Sequence, residues 1–276
     1  MNFNIFALCI TPVAGVQPWW IEWSLAPEFL FPFIVVLYLY IRGSRGRPGR
    51  PIALGGFVLL GLALFSPLCR ASAGLVSAHM IQLAIIAIIA PAMMASGGAV
   101  PALERALRPK AERSLRRLRT RSPLSASAIA YGAALWLWHA PPVYNASIEH
   151  APAHIAITAT IVVSALWFFH RLLMAREAQA GSAILILLVT MAHTGLLGAL
   201  LTFTPEPLYH SDVLALARWG LSARADQQLA GLIMWAPSGL LYLGIALVLT
   251  MRLMATSTDL LEQGAPPRRS INHLPN

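Results

Sequence analysis

Long apolar blocks are the feature of this sequence that most constrains its fold. A helix needs roughly 20 apolar residues to cross a hydrocarbon core of about 30 Å. Seven blocks approach or exceed that length, at residues 26–41, 52–68, 75–96, 124–139, 153–173, 182–203 and 229–253. Only helices and closed barrels satisfy the backbone in lipid, and these blocks lack the alternating pattern of barrel strands. We therefore predict an all-α, polytopic membrane protein with a bundle of about seven transmembrane helices.

The distribution of charge predicts how these helices are oriented. The chain is 57% hydrophobic and only 11% charged, too little charge to cover a soluble surface. If the seven blocks alternate in direction, all but three of the 20 basic residues lie on one side, the exceptions being Arg70, Arg218 and Arg224. The positive-inside rule then places the amino terminus outside and the carboxyl terminus in the cytoplasm. The net charge of +9 thus predicts contact with anionic headgroups and not with nucleic acid.

Composition also divides the chain into three parts. Residues 1–25 form a predicted outer segment, in which "WWIEW" has the aromatic character of a membrane interface. Residues 26–253 form the seven-helix membrane domain, with a basic cytoplasmic loop at 101–122. Residues 254–276 are polar and Pro-rich, and we predict a disordered cytoplasmic tail. Cys9 and Cys69 lie on the predicted outer side, where they could form a disulfide, bind copper or stay unpaired; we expect them to stay unpaired.

Most histidines fall near the predicted outer side. His79 lies near the outer end of the third block, His139 ends the fourth, His154 begins the fifth, and His193 lies near the middle of the sixth. Ionisable groups inside a membrane are costly and are functional candidates by default. A single buried histidine can also serve only to hydrogen-bond a neighbouring helix. The occurrence of imidazoles from four blocks at similar depth favours a site.

Two stripes of polar and small residues accompany the histidines at helical spacing. We expect both to face protein and not lipid. One contains His79, Gln82, Ile86 and Met93, and the other contains Gln227, Gly231, Met234 and Ser238. Asp226 precedes the second stripe and could serve the site or only cap a helix.

The residue types restrict the possible chemistry. Imidazole combined with thioether favours copper, or iron held as haem. The chain has no HExxH, CxxC or GxSxG motif, so hydrolase chemistry has no support. A retinal protein needs a lysine within a span, whereas the only lysine, Lys110, lies in the basic loop. We predict that the protein is not an enzyme.

Three segments resemble the signature blocks of one family, in the same order. They are "SAHMIQLAIIAIIAPAMMASG", "WLWHAPPVYNASIEHAPAH" and "ARADQQLAGLIMWAPSGLLYL". They are similar to the His-Met, W-H-x-P-P-x-Y and D-Q-Q-x-x-G-x-x-M-W blocks of the CtaG family, assembly proteins for caa3-type cytochrome c oxidase. The resemblance covers about residues 51–253, and "DQQLAGLIMW" is its most specific part. It implies a multi-pass protein of the bacterial plasma membrane that helps to mature a haem–copper oxidase by handling copper.

The resemblance also implies a set of site residues. Those that match the family blocks are His79, Met80, His139, Pro141, Pro142, Tyr144, His154, Asp226, Gln227, Gly231, Met234 and Trp235. One position departs from the family pattern, because the first block usually reads His-Met-x-x-His and this chain has Leu83 at the second histidine. Gln82, Met80 or His193 could supply the missing donor, the metal could bind weakly, or the histidines could serve another purpose.

From these residues we predict a copper site that opens outward. Its candidate metal ligands are His79, Met80, His139, His154, His193 and Met234. Gln82, the two prolines, Tyr144, Asp226, Gln227, Gly231 and Trp235 would shape or gate the site. Cu(I) would arrive from periplasmic donors and pass to a nascent cytochrome c oxidase subunit. Two alternatives remain open: a haem-binding or electron-transfer protein with two axial histidines, or an assembly scaffold without a cofactor.

Overall fold

The computed structural model describes residues 8–10, 22–107, 111, 113, 123–175 and 179–264. Across these residues every regular element is helical and no strand occurs, so the all-α prediction is confirmed. In chain order the helices are α1 (Pro27–Gly43), α2 (Arg50–Phe65), α3 (Pro67–Ser72), α4 (Val76–Ala84), a π-helical turn (Ile85–Ile89), α5 (Ala90–Ser96), α6 (Ala99–Ala106), α7 (Leu124–His139), α8 (Pro141–Glu149), α9 (Ala151–Leu173), α10 (Ala180–Phe203), α11 (Val213–Trp219) and α12 (Ala223–Gly264).

Each predicted apolar block forms a helix, and α7 has the predicted bounds. Within the described residues, four helical stretches are long and apolar enough to cross a membrane: Val76–Ser96, Ala151–Leu173, Ala180–Phe203 and Ala223–Met251. Helix α2 is apolar but shorter. The protein is therefore a helical membrane protein.

Helix also occurs in segments for which the sequence predicted a loop or a tail. Helix α12 continues to Gly264, so the predicted disordered tail is helical over 254–264, the part of it that the structure describes. The connection predicted at 140–152 contains α8, which begins with Pro141 and Pro142. Proline suits the first turn of a helix, where its missing N–H costs no hydrogen bond.

In the basic loop at 101–122, residues 108–110, 112 and 114–122 lie outside the described residues, as do 1–7, 11–21 and 265–276.

A π-helical turn interrupts the span Val76–Ser96. Pro91 follows this turn and has no N–H to donate to the carbonyl of Ala87, four residues earlier. The Tyr131 hydroxyl of α7 donates to that carbonyl at 3.0 Å and lies 2.9 Å from the Tyr242 hydroxyl of α12. The turn also breaks the constant period that the stripe through His79 and Met93 assumed.

Small residues bring α10 and α12 close together. A Cβ on Gly231 would lie 2.6 Å from the carbonyl oxygen of Gly198, so neither backbone could approach as closely with larger residues. The stripe of Gln227, Gly231, Met234 and Ser238 is buried along this helix. The prediction that this stripe faces protein is therefore confirmed.

The two ends of the bundle are built differently, and we name each by its residues. The glycine end contains Gly43, Gly49 and Gly97, where α1, α2, α5 and α6 meet. A Cβ on Gly97 would lie 2.6 Å from the carbonyl oxygen of Gly49. The histidine end contains His79, His139 and His154 at the opposite ends of the spans.

A disulfide joins Cys9 to Cys69 at the histidine end, with their Cα atoms 5.2 Å apart. The expectation that these cysteines stay unpaired is therefore wrong. Sequence spacing could not show this, because 60 residues separate the two cysteines along the chain. Next to Cys69, the buried guanidinium of Arg70 pairs with Glu22 at 3.4 Å.

Candidate functional site

Three buried histidines from three helices lie near one another at the histidine end. His79 of α4 packs its ring edge-on against Tyr144 of α8, with ring centroids 5.1 Å apart. His79 also lies within electrostatic range of His139 and His154. These three side chains are 7%, 8% and 4% exposed, so each imidazole is shielded from bulk solvent.

His139 presents a ring nitrogen with a free lone pair. Its Nδ1 lies 2.6 Å from the carbonyl oxygen of Leu135, one turn earlier in α7. Because a carbonyl only accepts, Nδ1 of the neutral ring carries the proton and Nε2 does not. Nε2 is buried and has no hydrogen-bond partner among the described residues. The ring is thus oriented by its own helix, with Nε2 left to accept a proton or a metal.

His154 lies in the first turn of α9 with a similarly unused nitrogen. Its ring packs edge-on against Phe29 of α1, with centroids 5.8 Å apart, and interacts with the backbone of Ser147 in α8. Nδ1 is buried and, within the described part of the chain, has no hydrogen-bond partner. Buried polar atoms are normally hydrogen-bonded, and those that are not indicate a bound group or a functional role.

Two tyrosines link α8 to the connection between α10 and α11. The rings of Tyr144 and Tyr209 lie 4.1 Å apart, and the Tyr209 hydroxyl donates to the carbonyl of His139 at 2.7 Å. That carbonyl ends α7 and has no partner within its own helix. Burial raises the pKa of both phenols above its usual value, so both remain protonated. Sequence reasoning missed Tyr209, because it lies outside the family blocks and outside any periodic segment.

Asp226 caps a helix other than its own. Its carboxylate accepts hydrogen bonds from the backbone N–H of Val76 at 2.7 Å and of Ser77 at 3.1 Å, and from the Ser77 hydroxyl. An anion is stabilised at a helix amino terminus by the exposed N–H groups and the helix dipole. The fully buried Asp226 therefore fixes the start of α4, three residues before His79.

Two glutamines hold the segments around the site. The Gln227 side chain accepts from the N–H of Leu208 and donates to the carbonyls of Leu201 and Glu206, both at 3.3 Å. It thereby fixes the chain that carries Tyr209. Gln82 donates to the carbonyl of Ala63 at 2.8 Å and so ties α4 to α2. The Gln227 amide has backbone partners at both its oxygen and its nitrogen, and the Gln82 amide has one at its nitrogen.

Met80 and Met234 both line a small apolar cavity of about 20 Å³. Leu83, Tyr131, Leu135, Thr194, Ser238 and Tyr242 also line it. Leu83, the residue at the usual position of a second family histidine, therefore faces this cavity. The cavity has room for about one water-sized group.

His193 is separated from the other candidates by its contacts. Its Nδ1 accepts a hydrogen bond from the indole N–H of Trp136 at 3.3 Å, and its ring packs beside Gly132. Trp235, which is 48% exposed, packs beside Gly195 and Gly198 of α10 and does not contact the three buried histidines in any described contact. The structure thus places His79, His139 and His154 near one another and His193 half-buried between α7 and α10.

The described residues do not form a closed metal shell. No group of three or more His, Cys, Asp or Glu side chains among them is close enough to hold one ion. What the arrangement offers is two oriented imidazole nitrogens without partners, a third imidazole nearby, and two thioethers one layer deeper.

Comparison with known proteins bears on the role of this site. The family described as cytochrome c oxidase caa3 assembly factor (Caa3_CtaG) matches residues 33–256, which include His79, His139, His154, Met80, Met234 and Asp226. Proteins of curated function and solved structures give no match. The match extends over most of the chain, from within α1 to within α12. The chain therefore belongs to the caa3 cytochrome c oxidase assembly factor family.

Proposed function

We propose that this membrane protein binds Cu(I) at the histidine end and passes it to a cytochrome c oxidase subunit during assembly. The role in oxidase assembly follows from the family, and the copper step is our proposal. The observation that carries it is the pair of buried nitrogens, Nε2 of His139 and Nδ1 of His154, which have no hydrogen-bond partner in the described residues. Leaving such atoms unused is costly, whereas a bound ion would satisfy them.

The donor set suits Cu(I) as a cargo. Neutral imidazole nitrogens and thioethers are ligands that Cu(I) prefers over hard oxygen donors. Met80 directly follows His79 in α4, and Met234 faces the same cavity as Met80. A site that must release its ion benefits from an incomplete shell, so the absence of a closed three-residue group in the described chain is compatible with transfer.

We further propose seven transmembrane helices, with the amino terminus outside and the carboxyl terminus in the cytoplasm. Helices α1, α2, the Val76–Ser96 span, α7, α9, α10 and α12 would cross the bacterial plasma membrane in turn. The disulfide supports an outward-facing histidine end, because disulfides persist in oxidising compartments. Cu(I) would then arrive from periplasmic donors, and the basic loop at 101–122 would face the cytoplasm.

The test compares Cu(I) affinity of the purified full-length protein and its variants by competition with a chromophoric Cu(I) chelator. Replacing His139 and His154 together by alanine should lower the affinity roughly tenfold or more, as loss of direct ligands does. His193→Ala is the matched control and should retain wild-type affinity, because His193 is engaged with Trp136. Unchanged Cu(I) affinity in the double variant would show that His139 and His154 do not bind the ion.

Two further readouts separate the alternatives of haem binding and a cofactor-free scaffold. If the purified protein shows a Soret band that disappears in the His139/His154 double variant, the site binds haem and not copper. Metal analysis showing neither copper nor iron, together with intact oxidase assembly, would leave a scaffold. Topology is checked with a periplasm-dependent reporter, which should be active near Asn145 and silent after residue 253.

A further inference from the structure

A second small cavity lies at the histidine end, between the start of α4 and α11. It has a volume of about 20 Å³ and is lined by Arg70, Gly74, Leu75, Ala215, Arg218 and Trp219. The charge pattern of the sequence leaves only Arg70, Arg218 and Arg224 on the side opposite the basic loops. Two of these three arginines therefore line one cavity.

Arg70 lacks partners for much of its guanidinium. The residue is only 9% exposed, and its Nη2 donates to Glu22 at 3.4 Å. Its Nε and Nη1 are buried and have no hydrogen-bond partner among the residues that the structure describes. A guanidinium cannot lose its charge or its N–H groups to relieve this burial. The two unused nitrogens thus call for an additional acceptor, and the most favourable acceptor is an anion.

The exposed residues of α11, beside this cavity, are of the types found at a membrane surface. Val213, Leu214 and Trp219 are 76%, 68% and 50% exposed, beside the exposed Arg218. Exposed apolar side chains together with tryptophan and arginine are typical of a short helix at the headgroup layer. The backbone N–H of Asp212 donates to the carbonyl of Gly74 at 3.0 Å, so the start of α11 is attached to the chain before α4.

We propose that Arg70 and Arg218 bind the phosphate of a phospholipid headgroup. The phosphodiester is the anion that the headgroup layer supplies, and arginine is well suited to bind its oxygens. One phosphate oxygen fits the cavity beside Arg70, while the exposed Arg218 contacts the remaining oxygens at the rim. The acyl chains then lie along the exposed apolar residues of α11. A lipid held here stabilises the junction of α3, α4 and α11 independently of any metal.

The test uses the full-length protein, delipidated in detergent and titrated with phosphatidylglycerol, with binding followed by native mass spectrometry. The wild type should retain one phosphatidylglycerol. Arg218→Gln should weaken this binding roughly tenfold or more, as loss of a charge-assisted contact does, and Arg70→Gln should weaken it further. Arg224→Gln is the matched control, since Arg224 is exposed and does not line the cavity. Its affinity for the lipid should equal that of the wild type.

A titration with inorganic phosphate distinguishes a lipid phosphate from a free phosphate ion as the bound group. Titrated alone, it should bind far more weakly than the lipid, because it lacks the apolar contacts of α11. If inorganic phosphate binds as tightly and Arg218→Gln abolishes its binding, the lipid assignment is overturned. If Arg218→Gln binds phosphatidylglycerol as Arg224→Gln does, the whole proposal is overturned. If the Arg70→Gln variant does not fold, the lipid affinity of Arg218→Gln alone tests the proposal. Arg218 is exposed, so its replacement should not prevent folding.

Discussion

The histidine end and the glycine end of the bundle are joined in different ways. At the histidine end, buried side chains such as Asp226, Gln227 and Tyr209 hydrogen-bond the backbone of other segments. At the glycine end, Gly49 and Gly97 let backbones touch directly, without a polar side chain between them. The comparison indicates that buried polar side chains dominate the histidine end, whereas the glycine end combines close backbone packing with hydrogen bonds from Tyr40 and Arg105 to backbone carbonyls.

The largest effect should come from Asp226→Ala. The substitution leaves the N–H groups of Val76 and Ser77 and the Ser77 hydroxyl without their shared acceptor inside the protein. We expect a loss of about 3 kcal/mol in the free energy of unfolding, as for a buried charged acceptor. Thermal unfolding in detergent measures it. Ser222→Ala removes an exposed cap of α12 and is the control with a smaller loss; equal losses in both variants would contradict the role of Asp226.

At the glycine end, Gly97→Ala should destabilise without altering the histidines. Its Cβ would lie 2.6 Å from both the Gly49 carbonyl oxygen and the Ala53 Cβ, so the backbones must separate. We expect a loss of about 2 kcal/mol, typical of overpacking, with unchanged Cu(I) affinity. Gly239→Ala is the matched control, because no atom lies within 4 Å of its added Cβ. The free energy of unfolding of Gly239→Ala should increase by about 0.5 kcal/mol, because alanine favours the helix more than glycine does. A change in Cu(I) affinity in Gly97→Ala would show that the two ends are coupled.

Tyr209→Phe tests a single hydrogen bond at the histidine end. The variant keeps the ring against Tyr144 but leaves the His139 carbonyl without its 2.7 Å donor. We expect a loss of about 1 kcal/mol, the usual net value of one buried hydrogen bond. Tyr38→Phe, at a residue 60% exposed, should change stability much less. A larger loss in Tyr38→Phe than in Tyr209→Phe would count against the hydrogen bond.

The smallest effect should come from the exposed pair of His210 and Glu149. Their side chains lie 3.2 Å apart but are 69% and 52% exposed. We expect His210→Ala to change stability by no more than about 0.5 kcal/mol, because solvent screens exposed ion pairs. A double-mutant cycle with Glu149→Gln measures the coupling. A coupling as large as the effect of Tyr209→Phe would show that exposed contacts also hold this end together.

The long helices were predictable from the sequence because each contains a long apolar block. Helix α7 has the predicted bounds since polar or proline residues flank it on both sides. Helix α8 was predicted as part of a loop because it is short and lacks an apolar face. The π-helical turn has no apolar signal, although Pro91 indicates where an α-helical hydrogen bond must fail.

The candidate site was only partly predictable, because motif spacing does not give contacts between distant segments. His79, His139 and His154 were identified by their depth and by the family blocks, and they lie near one another. His193 has a similar depth along its helix but points to Trp136. Asp226 was considered as a cap of its own helix, yet it caps α4 from a position 150 residues away in sequence. Such long-range hydrogen bonds leave no local pattern.

The π-helical turn at Ile85–Ile89 also acts as a phase shift within its span. A π turn contains one more residue than an α-helical turn. The side chains before the turn are therefore rotated about the helix axis by about 100° relative to those after it. His79 and Met80 lie before the turn, and Met93 and Met94 lie after it. The angular position of His79 relative to Met93 therefore depends on the one extra residue in this turn. A deletion of one residue in this turn should therefore turn His79 away from Tyr144, with every site residue still encoded.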